Sequence, residues 1–453
     1  MSDELYRRPI AWLSAAYDAR ELSPVEVVRA TLERIAAVDG ALLSYLAVLA
    51  DSALAEARQA EADLAAGRRR GPLHGIPVGL KDLIDVGGVR TTGGSASRRE
   101  HVATQDAEMV NQLRAGGAVV IGKNNLYEFG LGLPMPGEWP VPSRNAWDTE
   151  RIPGGSSSGS AVAVAAGLCA GSYGTDTGGS IRGPASYCGV VGMKPSHGLI
   201  STRGVQALSW TLDHVGPLGR TVDDVAALLA GASGRPVELA DSVARLRVGV
   251  PDALIANTEM EPDVGAAFEQ ALAVLRRSGA STRSIELPPL ALTEAALLAI
   301  IGSEGLAVHL PALADRPQEF GVSARERLSG GLAYTGVDYV NALRMRDRIS
   351  ARMFELFATI DVIVSPVTLQ VAPRKVDFER NPPHRTPFTG IYNLIGGAAV
   401  SVPAGFDRAD MPIGLQIAGP VGSDARVLTA ARAYERATDW HTRVPTDPQP
   451  VPA

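Results

Sequence analysis

Apolar positions first recur at helical spacing. In Ser23-Pro24-Val25-Glu26 the serine and glutamate stand at the three-residue offset of a capping box, and the proline takes the first helical position. Val27, Val28, Leu32 and Ile35 then share one face, which predicts a helix. An Ala/Glu/Arg-rich run over 51–70, polar on one side, predicts a second one, so residues 1–70 read as a helical segment. Ile76-Pro77-Val78-Gly79-Leu80 predicts a short buried strand. A helix follows over 106–115, with Met109, Val110 and Leu113 on one face. Gly116-Gly117 breaks it, and Ala118-Val119-Val120-Ile121 predicts another buried strand. Helices over 264–278 and 342–357 come next, the second leading into the strand Ile360-Asp361-Val362-Ile363-Val364. This alternation predicts an α/β fold, a central mixed and twisted β-sheet with helices on both sides.

The length allows up to three domains. No repeat, low-complexity tract or compositional break divides the chain, so one large domain over 1–453 is the expectation, with its core at about 20–437. The Pro-rich pieces, Pro382-Pro383 and the tail over 445–453, read as irregular, the tail as a frayed end.

Residues 140–204 depart from this alternation. They are rich in Gly and Ser, show no strand pattern, and contain Gly154-Gly155-Ser156-Ser157-Ser158-Gly159-Ser160 and Gly174-Thr175-Asp176-Thr177-Gly178-Gly179-Ser180-Ile181-Arg182. Glycines let backbone N–H groups converge into an anion-binding nest. A serine ending such a nest stands where it can attack a carbonyl whose oxygen the nest holds. Gly/Ser loops around a helix are the plain alternative. Lys81 directly follows an apolar strand. It is either a buried lysine with a lowered pKa, fit to act as a neutral base, or a surface lysine paired with Asp82 or Asp85. Asp176 is the candidate partner of Arg182.

Composition narrows the function classes. The 453 residues are 45% hydrophobic and 20% charged, with a net charge of −6, so no basic footprint for nucleic acid or for a membrane surface is present. No apolar run of about 18 residues is apparent, and MSDELYRRPI lacks the apolar core of a signal peptide. Cys169 and Cys188 lack CxxC spacing, which points to a reducing cytoplasm, with Cys169 as a small core residue. Seven scattered histidines show no HExxH, so neither a metal nor another cofactor is expected; His214 reads as structural. Gly155-Ser156-Ser157-Ser158-Gly159 fits a nucleophile elbow, but no strand precedes it. Gly117 to Lys123 has phosphate-loop spacing, but an apolar strand fills its middle and Asn124 replaces the Ser/Thr that would bind magnesium.

GIPVGLKD at 75–82, NAWDTERIPGG at 145–155, GGSSSGSA at 154–161, GTDTGGSIR at 174–182, CGVVGMKP at 188–195 and NLIGGAAVSVPAGF…MPIGLQIAG between 393 and 419 together resemble the amidase signature family. The resemblance runs from about residue 20 to about residue 437, with the motifs in the family's order. It implies a Ser–cis-Ser–Lys triad of Ser180 as nucleophile, Ser156 as proton relay and Lys81 as base. It implies an oxyanion hole from the N–H groups of Thr177, Gly178, Gly179 and Ser180.

For the substrate, two enzymatic readings arise: an amidase for small apolar or aryl amides, anilides or carbamates (urethanes), and the glutaminase (A) subunit of a tRNA-dependent amidotransferase. A non-catalytic member is the third reading, weakened by the intact triad positions. The glutaminase subunits carry an acid in a D-x-F-T run where this chain has Thr386-Pro387-Phe388-Thr389, and M-D-E-F where it has Leu126-Tyr127-Glu128-Phe129. Arg346 aligns with an arginine that holds the glutamine carboxylate. Tyr127, Gly130 and Gly132 are candidate pocket residues, with loop packing as their alternative. The family's habit implies a homodimer.

Overall fold

The computed structural model describes residues 5–135, 137–380 and 387–448. The capping box forms: Ser23 Oγ accepts from the Glu26 N–H at 3.2 Å, Glu26 Oε2 accepts from the Ser23 N–H at 2.8 Å, and the helix runs Pro24–Leu42. The next helix, Ala50–Ala65, stops short of the predicted residue 70. Gly67 takes φ +71 there, and Arg68 and Arg70 turn back onto the buried carboxylate of Asp63.

Eleven strands among the described residues form one mixed sheet. They are β1 (Tyr45–Val48), β2 (Pro77–Lys81), β3 (Val119–Asn124), β4 (Gly171–Asp176), β5 (Val191–Lys194), β6 (His214–Gly219), β7 (Arg247–Val250), β8 (Ser281–Ser284), β9 (Val362–Pro366), β10 (Ala399–Phe406) and β11 (Pro412–Ala418). Their order is β1-β3-β2-β4-β6-β5-β10-β11-β9-β7-β8. β2 lies parallel to both β3 and β4, and β7 parallel to β8 and β9; the other pairs are antiparallel. The helices Val222–Ser233, Pro262–Arg277 and Asp424–Arg436 contribute to one apolar core, and Pro24–Leu42, Ser158–Ala165 and Arg182–Cys188 to a second. Cys169 and Cys188 are free and buried in the second core.

Four expectations are corrected. The segment 1–70 is not all helix, because the half-buried β1 pairs with β3 at the sheet edge. The block 140–204 contains two strands, β4 and β5. β4 is wholly buried although its sequence is Gly-Ser-Tyr-Gly-Thr-Asp, and its glycines answer close approach: a Cβ on Gly171 would lie 2.4 Å from Leu228 Cδ1, and one on Gly174 2.6 Å from Ser157 Oγ. Asp447, in the tail expected to fray, pairs with Arg34. The helix Leu290–Asp315 spans 26 residues and includes an 18-residue window of mean hydropathy 1.6, of which 56% is buried, so one helix is long and apolar enough by length and composition. Its buried Glu304 accepts hydrogen bonds from Ser209, Thr211 and Tyr339. The Pro382-Pro383 segment lies outside the described residues.

Candidate active site

β2 and β4 are parallel neighbours, and their C-terminal ends bring Lys81 beside Thr175 and Asp176. Lys81 is fully buried. Its Nζ donates to Ser156 Oγ at 2.7 Å, Thr175 Oγ1 at 2.8 Å and Ser157 Oγ at 3.1 Å. Among the described residues no carboxylate pairs with it directly; Asp82 pairs instead with Lys123, at 2.8 Å. Burial lowers the Lys81 pKa to about 7, against the opposing pull of the Asp176 and Asp213 charges. The surface-lysine alternative therefore does not describe this side chain. A group with a pKa near 7 is half neutral at neutral pH, which suits proton transfer in either direction.

Ser156 follows the cis Gly155–Ser156 peptide, and its carbonyl accepts from the Tyr127 N–H at 3.1 Å. A Cβ at Gly155 would lie 2.2 Å from Tyr127 Cε2, so only glycine lets the ring approach here. Ser157 precedes the helix Ser158–Ala165 and ties the two Gly/Ser segments together. Its N–H donates to the Ser180 carbonyl at 3.1 Å, and its hydroxyl donates to the Thr175 carbonyl at 3.1 Å. Ser157 is thus held as a strut, and no strand runs into it as a nucleophile elbow requires.

The loop after β4 is held from below by a buried ion pair. Asp176 accepts from Arg182 Nε at 3.0 Å and Nη2 at 2.9 Å, and from the N–H groups of Gly179 at 2.8 Å and Ile181 at 3.1 Å. The remaining three Arg182 N–H groups donate to the Thr389 carbonyl, Gln416 Oε1 and Asn393 Oδ1 at 3.0, 2.7 and 2.7 Å. Every guanidinium donor is satisfied. Burial alone would raise the Asp176 pKa, but the charge and hydrogen bonds of Arg182 hold it well below the usual carboxylate range. Gly179 adopts φ +126, and a Cβ there would meet Thr389 Oγ1 at 2.7 Å.

Of the four amides offered as an oxyanion hole, that of Gly179 is committed to Asp176, whereas those of Thr177, Gly178 and Ser180 have no partner among the described residues. Thr177 is held through its hydroxyl, which donates to Asp213 Oδ1 at 2.6 Å. Asp213 also accepts from the N–H groups of Leu208 and Ser209, and burial pushes its pKa up to about 6. His214 donates from Nδ1 to the Leu212 carbonyl, and burial lowers its pKa, in keeping with a structural neutral ring.

Ser156, Thr177, Gly178, Gly179 and Ser180 open onto a cavity of about 770 Å³. Tyr127, Gly130, Leu131, Leu133, Ile152, Tyr187, Met260, Ile301 and Phe378 supply much of its wall, with Glu259, Glu261 and Arg327 as charged lining residues. Arg346 does not line it. That residue is partly exposed on the helix Gly336–Phe357, where its charge acts on Tyr339 and His197. Gly132 does not line it either; its backbone packs against Ala324, whose Cβ would be 2.8 Å from an added methyl. Thr386 lies outside the described residues, while Thr389 Oγ1 donates to the Gly178 carbonyl at 2.8 Å. Sequence reasoning missed Thr175, Asp213 and Arg327. Thr175 belongs to the run 174–182 and Asp213 adjoins His214, so position could have pointed to both, whereas Arg327 sits in a polar helical stretch with no local signal. Among the described residues no cluster of His, Cys, Asp and Glu could hold a metal ion.

Residues 26–428 match the family model described as Amidase. The chain is 36% identical to the A component of the glutamyl-tRNA(Gln) amidotransferase of Methylococcus capsulatus, over 97% of this chain and 99% of that protein. A crystal structure of an amidase superposes with a TM-score of 0.88 at 32% identity, covering 95% of this chain and 99% of the other. The corresponding A component of the glutamyl-tRNA(Gln) amidotransferase of Thermotoga maritima superposes with a TM-score of 0.78 at 29% identity, covering 95% of each chain.

Proposed function

The chain belongs to the amidase signature family of hydrolases acting on carbon–nitrogen bonds, and from that premise we propose that it cleaves amides through an acyl-enzyme on Ser180. The observation that carries this reading is the buried Lys81, 2.7 Å from Ser156 Oγ with its pKa lowered to about 7. Ser180 Oγ attacks the amide carbon while its proton passes to Ser156 and on to neutral Lys81. The N–H groups of Thr177, Gly178 and Ser180, unpartnered among the described residues, are the donors offered to the developing oxyanion, and loss of one oxyanion donor costs about 3–4 kcal/mol in such sites. The carbon–nitrogen bond then breaks, and the amine leaves with a proton returned from Lys81 through Ser156. Water attacks the acyl-enzyme along the same proton path and restores the Ser180 hydroxyl.

Two substrate readings have support of different kinds. The apolar and aromatic cavity wall supports small apolar or aryl amides, with anilides and carbamates as variants of that class. The aligned relatives favour the glutaminase subunit of a tRNA-dependent amidotransferase more strongly, because the identity to such subunits extends over almost the whole of both chains. A panel of kcat/KM values for glutamine, a short aliphatic amide, an anilide and an aryl carbamate separates them. The apolar reading expects the anilide or carbamate to lead with the lone protein. Glutamine as the best substrate, with activity rising when a partner subunit is added, selects the glutaminase. Ser180→Ala is expected to abolish turnover and fluorophosphonate labelling; labelling that survives it and is lost in Ser156→Ala would exchange the two roles.

A further inference from the structure

We propose that Tyr127 and Arg327 form an anion subsite in the active-site cavity, and that the preferred amides carry a carboxylate on an otherwise apolar body. This deepens the hydrolase reading above and rests on it for the identity of the cavity as a substrate site.

One buried unpartnered group and one cation on the same cavity wall carry this reading. Tyr127 is only 8% exposed, lines the cavity, and its hydroxyl has no hydrogen-bond partner among the described residues. A buried phenol normally finds an acceptor, and leaving one unmatched is costly. Arg327 lines the same cavity from the helix Val322–Ser329 and forms an ion pair with none of the described carboxylates. One of its N–H groups donates to the Leu131 carbonyl at 3.1 Å, which anchors the guanidinium, while the exposed side chain keeps its other donors open to solvent or to a ligand. Each group feels the other: the Arg327 charge acts on the phenol, and the phenol acts on Arg327 in turn. A phenol donor beside a forked cation is suited to a carboxylate. The ring also packs on Gly155, one residue before Ser156, so the subsite adjoins the proposed reaction centre.

Two acids share the wall, and neither pairs with Arg327 among the described residues. Glu261 accepts from the Val371 N–H at 2.9 Å and its charge acts on Tyr187, while Glu259 is exposed.

The test compares glutaric acid monoanilide with valeric anilide, a neutral probe of similar shape. Calorimetric binding and kcat/KM are measured for the wild type, Arg327→Gln, Arg327→Lys and Tyr127→Phe. The wild type is expected to favour the charged probe by about 10- to 100-fold. Arg327→Gln should bring that ratio to within about threefold of one, Arg327→Lys should restore part of it, and Tyr127→Phe should lower it severalfold. Raised salt should shrink the preference, since Arg327 is exposed to solvent. A wild-type ratio near one, or an Arg327→Gln loss equal for both probes, overturns the subsite. Binding is read separately in Ser180→Ala: turnover that survives there refutes the serine mechanism, while the binding ratio still decides the subsite.

Discussion

Replacing Lys81 by methionine should abolish turnover and yet stabilise the protein at pH 7, by an amount that shrinks as pH rises. The lysine is fully buried, and its pKa falls from 10.5 to about 7 on folding. By linkage, that drop corresponds to about 5 kcal/mol of stability missing at pH 7 and below relative to strongly alkaline pH. Methionine matches the length of the stem and removes this deficit. It also removes the donor to Ser156, Thr175 and Ser157, at about 1 kcal/mol for each hydroxyl left short of a partner. The net expectation is a gain of about 2 kcal/mol at pH 7. The pH dependence is the sharper test. Between about pH 7 and 10.5 the unfolded chain holds the lysine proton and the native chain does not, so wild-type stability rises with pH by about 1.4 kcal/mol per unit through this group. Urea unfolding of both proteins at pH 7, 8 and 9 reads the difference directly. A difference that stays constant over those pH values would refute a neutral buried lysine.

The same proton governs rate: kcat/KM should fall about tenfold per pH unit below a midpoint near 7 and level off above it, because only neutral Lys81 accepts the Ser180 proton. Asp213→Asn should move that midpoint to lower pH, since the Asp213 charge raises the lysine pKa; an unmoved midpoint in pH-rate profiles denies the electrostatic link. Arg182→Met should destabilise the fold by about 3–5 kcal/mol in urea unfolding, because it leaves the Asp176 carboxylate buried without its cation, and a loss under about 1 kcal/mol would show that the pair does not hold the loop.

Where side-chain chemistry is local, the sequence is readable. The Ser23 capping box, the apolar run ending in Lys81 and the face of Met109, Val110 and Leu113 all report their own environment, and each element forms within a few residues of its predicted range. β4 is illegible for the opposite reason. Its glycines and polar residues are chosen by neighbours distant in the chain, Leu228 against Gly171 and Ser172 bonded to Asn124, so no alternation of apolar and polar positions survives. The pocket shows the same division. Tyr127 stands in a run that departs from the glutaminase pattern, whereas Arg327 reaches the cavity through the packing of a separate helix. Arg346 draws attention by alignment, although its helix carries it away from the cavity wall.

The position of the site follows from the sheet. β3, β2 and β4 are three adjacent parallel strands, and parallel order sends their C-terminal ends, Asn124, Lys81 and Asp176, to one edge. In open α/β sheets that edge is where the chain leaves the sheet and ligands gather. Here the segment after β4 turns directly into the helix Arg182–Cys188, and the one before it supplies Ser157 as the entry to the helix Ser158–Ala165. Both helices pack on the sheet, so the serines between strand and helix have little freedom to move. Arg182 then locks the arrangement by joining Asp176 on β4 to Gln416 on β11 and Asn393 on the helix Gly390–Leu394. A network with every donor matched resists rotation of any one member. The proposed reacting groups thus owe their placement to buried charge chemistry from distant parts of the chain, and the short Gly/Ser loops need only span what that network leaves open.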